Sequence, residues 1–155
     1  MHRPVLLTLI LCFIAATSLA QNKRQEPLDP RWKPAGYNDY ETFTYDSKTL
    51  RKTPAGTIDV WIQFIYTDSG RIDNLKARAK AKLSTKGYEN LERTLNHFEI
   101  DCANRTMRTL GFSDYDADGA ILSSEEYGDK DKWHAVMPDT TFEQTLEAVC
   151  KAASK

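Results

Sequence analysis

The sequence predicts an α+β fold: a twisted antiparallel sheet of about six strands, a C-terminal helix disulfide-linked to it, and a short helix inserted mid-sheet. Three observations carry that expectation. Apolar residues recur at every second position from Thr57 to Thr67. The period lengthens to that of a helix from Arg71 to Lys86 and then reverts. Near the end, Thr140 and Glu143 form a capping box that opens an amphipathic stretch ending at a cysteine.

Residues 1–20 read as a cleaved signal peptide. Arg3 supplies a basic start, Val5 to Ala16 is nearly all apolar, and Ser18-Leu19-Ala20 is a small-x-small cleavage site. The apolar run is too short for a membrane span, and no second run exists further on. Cys12 sits inside this run rather than after a small residue at the cleavage point, which argues against lipidation. Residues 21–31 are polar and charged with Pro27 and Pro30, and read as a disordered tether. Residues 32–155 then form a single domain, exported to the periplasm or to the cell surface and extracellular space.

Within that domain, Tyr40 to Asp46 alternates aromatic and polar residues and is the first clear strand. Pro54-Ala55-Gly56 marks a turn into the strongest strand. There Ile58, Val60, Ile62, Phe64 and Tyr66 share one face, and the opposite face includes Trp61 and Ile65, so it too is partly covered. In Arg71 to Lys86 the apolar stripe is Ile72, Leu75, Ala79 and Leu83, and Gly87 stops the helix. Later strands span Leu91 to Cys102, Arg105 to Phe112, Ile121 to Tyr127 and Trp133 to Val136. In the last helix Phe142, Leu146, Val149 and Cys150 fall on one face.

Cys102 and Cys150 remain after the leader. In an oxidising compartment an even pair reads as a disulfide, and neither has partners at metal-ligand spacing. The bond would close a loop of about 49 residues, worth roughly 4 kcal/mol in the chain-entropy model.

Asp114-Tyr115-Asp116-Ala117-Asp118-Gly119 through Glu125 fits the calcium-loop pattern D-x-[DN]-x-[DN]-G-x5-E. Asp114, Asp116, Asp118 and Glu125 are therefore candidate Ca²⁺ ligands, and a calcium-binding envelope protein is one functional alternative. The flanking segments do not suit an EF-hand. Arg105 to Phe112 reads as a strand, and Gly128 and Pro138 interrupt the segment beyond the loop. A hairpin turning at Asp118-Gly119 is the favoured reading.

The formal net charge of −1 gives no global argument for nucleic acid or membrane binding. Charge is nonetheless segregated: residues 71–86 carry six basic side chains against Asp73, and residues 114–131 carry seven acids against Lys130. His97 and His134 stand in no recognised nucleophile or metal arrangement, and no hydrolase or phosphate-loop motif is present, so no catalytic residues are assigned. Asn104-Arg105-Thr106 is a glycosylation sequon that only a eukaryotic secretory host would use.

The order and spacing of short segments resemble the surface-adhesin protein E family of bacterial exported proteins. These are Trp32, Tyr45-Asp46-Ser47, Ile58 to Trp61, Phe98 to Arg105, the Asp118-Gly119 turn, Trp133 to Pro138, and the helix ending at Cys150. The resemblance implies an antiparallel sheet with a disulfide-linked C-terminal helix. It also implies a non-enzymatic binding module whose partners are host matrix or serum proteins; an envelope component is the other candidate partner. A structural periplasmic protein is the remaining alternative, and an open sheet edge leaves room for a homodimer.

Overall fold

Alternation along residues 58–66 sets the sheet, because successive side chains of a strand point to opposite faces. In the computed structural model, residues 29–155 are described. The leader at 1–20 and most of the tether at 21–31 lie outside them. The strands are β1 (Trp32–Tyr37), β2 (Glu41–Asp46), β3 (Arg51–Lys52), β4 (Ile58–Tyr66), β5 (Leu91–Asp101), β6 (Thr106–Asp116), β7 (Ile121–Glu126) and β8 (His134–Ala135). All pairings are antiparallel, in the order β1-β2-β4-β5-β6-β7. β3 lies beside β4 just past β2, and β8 lies beside β6 just past β7. Eight strands thus fill six positions, which reconciles the expected number with the observed one.

β1 is the strand that sequence pattern does not reveal. Pro34 and Gly36 disrupt its alternation, and a bulge falls between them. Proline is tolerated there because β1 is an edge with a row of N–H groups that need no ladder partner. Gln144 accepts a hydrogen bond from the Tyr37 amide, and the opposite edge, β7, carries Glu125 and Glu126. Bulges and charges of this kind discourage edge-to-edge pairing.

One face of the sheet is sealed in two halves by different chemistry. Helix α2 (Thr141–Ala153) covers the first half with Leu146 and Val149, which pack on Ile58, Val60, Ile62, Phe98, Ile100 and Met107. Each such buried side chain contributes roughly 1.5–3 kcal/mol. The Thr140 hydroxyl accepts from the Glu143 amide at 3.2 Å, while Glu143 reaches back to the Asp139 amide at 2.8 Å, one residue earlier than in a simple capping box. Cys102 and Cys150 are bonded, with Cα atoms 5.8 Å apart, and staple α2 to the end of β5. Phe142, expected on the buried stripe, is 44% exposed.

The second half is sealed by helix α1 (Asp68–Lys80) and the short 3-10 turn at Tyr88–Asn90. α1 starts earlier than its periodicity suggests. Thr67 caps it, and Gly70 sits where any Cβ would meet the Tyr40 carbonyl oxygen at 2.1 Å. It also ends earlier, at a left-handed Lys82, with Gly87 opening the 3-10 turn instead of closing the helix. The expected apolar stripe does not face inward: Ile72 and Leu83 are 51% and 55% exposed. The half-buried residues are Arg71, Asn74, Leu75 and Arg78. The reason is the surface beneath, which is polar. Asp114 is buried and accepts hydrogen bonds from the Tyr88 and Thr94 hydroxyls, both at 2.6 Å. Arg78 lies 3.8 Å from the same carboxylate and 3.6 Å above the Tyr88 ring.

Both seals are open to test. Disulfide reduction, or Cys102→Ser with Cys150→Ser, is expected to cost about 2–4 kcal/mol in denaturant unfolding; no change in midpoint would mean that packing alone holds α2. Burial raises Tyr66 and Tyr88 to about 12, and at Tyr88 the hydrogen bond to Asp114 adds to the shift. Because an unfolded tyrosine ionises near pH 10, the stability these phenols contribute is full below that value and lost as pH rises towards 12. Absorbance titration should find Tyr66 and Tyr88 among the late tyrosines, and Asp114→Asn should bring Tyr88 down. Uniform titration of all tyrosines near pH 10 would refute the clamp.

Candidate binding face

The same alternation that buries Ile58, Val60 and Ile62 turns Asp59, Trp61 and Gln63 to the opposite face, where among the described residues no α-helix lies and only the short 3-10 turn at Gly128–Lys130 approaches, through Asp129. Register then builds rows across neighbouring strands. Asp59 pairs with Glu99, Trp61 with His97 and Gln63 with Leu95; on β6 these continue as Arg108, Gly111 and Ser113. Trp61 and His97 stack with ring centroids 4.6 Å apart and planes 10° from parallel. The His97 Nε2 is 2.9 Å from Asp59 Oδ1, and Arg51 donates to Asp59 Oδ2 at 2.9 Å, so a charged chain fixes the imidazole against the indole.

Arginines sit over the remaining aromatics of this face. The guanidinium of Arg31 is 4.9 Å from the Trp32 ring, that of Arg93 is 4.9 Å from Tyr115, and that of Arg108 is 5.0 Å from Trp133. Such contacts contribute about 0.5–1 kcal/mol where exposed. Each arginine is also paired with a carboxylate: Arg31 with Asp46, Arg93 with Glu92, and Arg108 with Glu99 and Asp129. Arg108 is held further in its charged form, chiefly by its hydrogen bond to Glu99. Burial works against ionisation of Asp59, but the hydrogen bonds and charges of His97 and Arg51 outweigh it, and its carboxyl sits below the usual range.

A separate apolar cavity of about 290 Å³ opens beside the start of α2, between Phe98, Met107, Val136, Met137 and Phe142. It extends the hydrophobic core to the surface, where Met137 is 63% exposed. His134 lines it and lies 3.4 Å from Asp131.

The acidic loop does not converge on a point. Asp114 faces the Tyr88–Arg78 clamp. Asp116 Oδ1 accepts from the amides of Asp118 and Ala120, at 3.0 and 2.8 Å, and so closes its own hairpin, with Gly119 at φ 81°. Asp118 is exposed, and Glu125 stands opposite Phe112 on β7. Among the described residues no three His, Cys, Asp or Glu side chains gather as a metal site. Asn104 of the sequon donates to Asp101 within the β5–β6 turn. What sequence reasoning missed is the set Arg31, Trp32 and Asp46. Arg31 falls at the end of the stretch read as tether, yet it reaches the buried Asp46.

Because the Asp59 carboxyl is depressed, its contribution to stability is present above the ordinary carboxylate pKa and lost as pH falls through the lowered value. Asp59→Asn should cost under about 1 kcal/mol at neutral pH, since Arg51 is largely exposed. That difference should vanish in acid; thermal melts across the acid range test it, and a pH-independent difference would contradict the assignment.

The family model described as surface-adhesin protein E matches residues 32–151. Solved structures of Haemophilus influenzae protein E align at 12% identity and a TM-score of 0.49, over 81% of this chain and 87% of that chain. Crystal form II aligns at 12% and 0.44, over 79% and 95%. The selenomethionine form aligns at 13% and 0.45, over 79% and 94%. No curated protein matches the chain.

Proposed function

Because the chain belongs to the surface-adhesin protein E family, we propose that it is an exported, non-enzymatic binding module that engages a protein partner through the uncovered aromatic face of its sheet. The family match carries this reading, since it runs from the first residue of β1 to within α2. The composition of the face supports it: Trp, Tyr and Arg are the residues that dominate binding energy at protein interfaces. Trp61, Tyr115 and Trp133 are half-buried or exposed there, and their rotamers are already held by His97, Arg93 and Arg108. Pre-held side chains lose less entropy on association.

The partner class is a host matrix or serum protein, or another envelope component. Residues 1–20 direct export, and the site of action is the cell surface or the periplasm. No helix among the described residues is long and apolar enough to cross a membrane.

A binding panel of immobilised laminin, fibronectin and collagen at physiological salt tests the reading. Saturable binding to at least one is expected. Trp133→Ala, at a position 41% exposed and so tolerant of truncation, should weaken it by about 2 kcal/mol, roughly 30-fold. A uniformly negative panel would remove the case for matrix adhesion.

A further inference from the structure

On the same face, near the β1 edge, lies a second cavity of about 210 Å³ that the family assignment does not explain. We propose that it is a carbohydrate subsite, built to take one neutral hexopyranose unit of a glycan. Its walls are Trp32, Trp61, Leu95 and Tyr115, and its polar groups come from Asp46 and Arg31 with the hydroxyl residues Thr49 and Ser113. Trp32 is the register partner of Asp46, and Asp46 continues β2 one residue beyond the Tyr45–Ile62 pair, which places it beside Trp61. A carboxylate on β2 therefore stands between two tryptophans, one on each neighbouring strand. His97 covers one face of the Trp61 indole and does not line the cavity, so the cavity meets the rest of that ring.

An unmet hydrogen-bonding need points the same way. The Asp46 side chain is 1% exposed, and its Oδ1 accepts from the Lys48 amide at 2.9 Å. Arg31 Nη2 lies 2.9 Å from Oδ2, but outside hydrogen-bonding geometry, and among the described residues both Oδ2 and Arg31 Nε lack a partner. Buried polar atoms are rarely left so. The Arg31 side chain is 38% exposed, and both residues line the cavity.

Ligand chemistry is set by what these atoms can accept. An acceptor beside a donor, with their charges cancelling, suits adjacent hydroxyls that each donate and accept. A cation would confront Arg31 and an anion would confront Asp46. A purely apolar ligand would leave both polar atoms unpaired. Aromatic walls suit the C–H face of a pyranose ring, which would meet the sides of Trp32, Trp61 and Tyr115 that Arg31, His97 and Arg93 do not cover. The volume is below the roughly 300–1,000 Å³ of drug-sized pockets, which suits a single ring.

Sugar binding at this subsite goes beyond the adhesin reading and can fail separately from it. The test uses saturation-transfer NMR and tryptophan fluorescence on the full mature chain. The probes are the methyl pyranosides of galactose, mannose and N-acetylglucosamine, with n-butylammonium as the cationic competitor. At least one pyranoside should receive saturation at its ring C–H protons and shift tryptophan emission. Binding should weaken at least tenfold in Trp32→Ala, at a half-buried position on the edge strand, and in Asp46→Asn, which keeps the acceptor for Lys48. A lactosamine oligosaccharide and a lipopolysaccharide core oligosaccharide then separate a host from an envelope source. No binding by any pyranoside, binding unchanged in both folded variants, or butylammonium bound in their place would overturn the assignment. Loss of sugar binding with matrix binding intact would leave the adhesin reading standing, and the reverse result would leave the subsite standing.

Discussion

A sheet has two faces, and this chain devotes both of its described helices to one of them. Everything else in the structure depends on that one-sided covering. The covered face is closed by two unlike seals. At one end α2 presents Leu146 and Val149 to an apolar patch and is bonded to β5 through Cys102 and Cys150. At the other, α1 meets Asp114, Tyr88 and Thr94 and is held by hydrogen bonds and a guanidinium. The apolar seal contributes most to stability, because removing apolar area from water outweighs exchanging water's hydrogen bonds for the protein's own. The polar seal contributes registry. A buried carboxylate with three partners is satisfied in one arrangement and costly in any other.

This division explains the acidic motif. In a strand, carboxylates spaced by two residues stand about 7 Å apart along one face rather than around a point. Asp114 therefore reaches the α1 clamp, and Asp116 turns to its own hairpin amides. The spacing that matches a calcium loop arises here from strand alternation meeting turn chemistry.

Much of the fold was legible because its signals are local. The alternation in β4, the capping box of α2 and the Asp118-Gly119 turn each depend on a few adjacent residues. The misreadings share a different cause. The stripe chosen for α1 was the apolar one, but its inward face was decided by Asp114, far away in sequence and brought beneath it by the sheet. β1 escaped notice because an edge tolerates Pro34 and Gly36. The candidate face was the least legible part. Trp32, Asp46 and Trp61 come from three strands, and only register makes them neighbours.

Charge on the open face is abundant and almost wholly spent internally. Arg31, Arg51, Arg93 and Arg108 each have a carboxylate partner. A face so neutralised offers little long-range steering. What it offers is short-range: rings already held by a stacked imidazole or by guanidinium groups. Recognition on such a surface depends on shape and hydrogen-bond matching at contact. The exposed basic side chains of α1, Lys76 and Lys80, stand on the covered side of the sheet. Held rings and exposed basic side chains thus fall to opposite sides of the same sheet, a separation that again comes from covering only one of its faces.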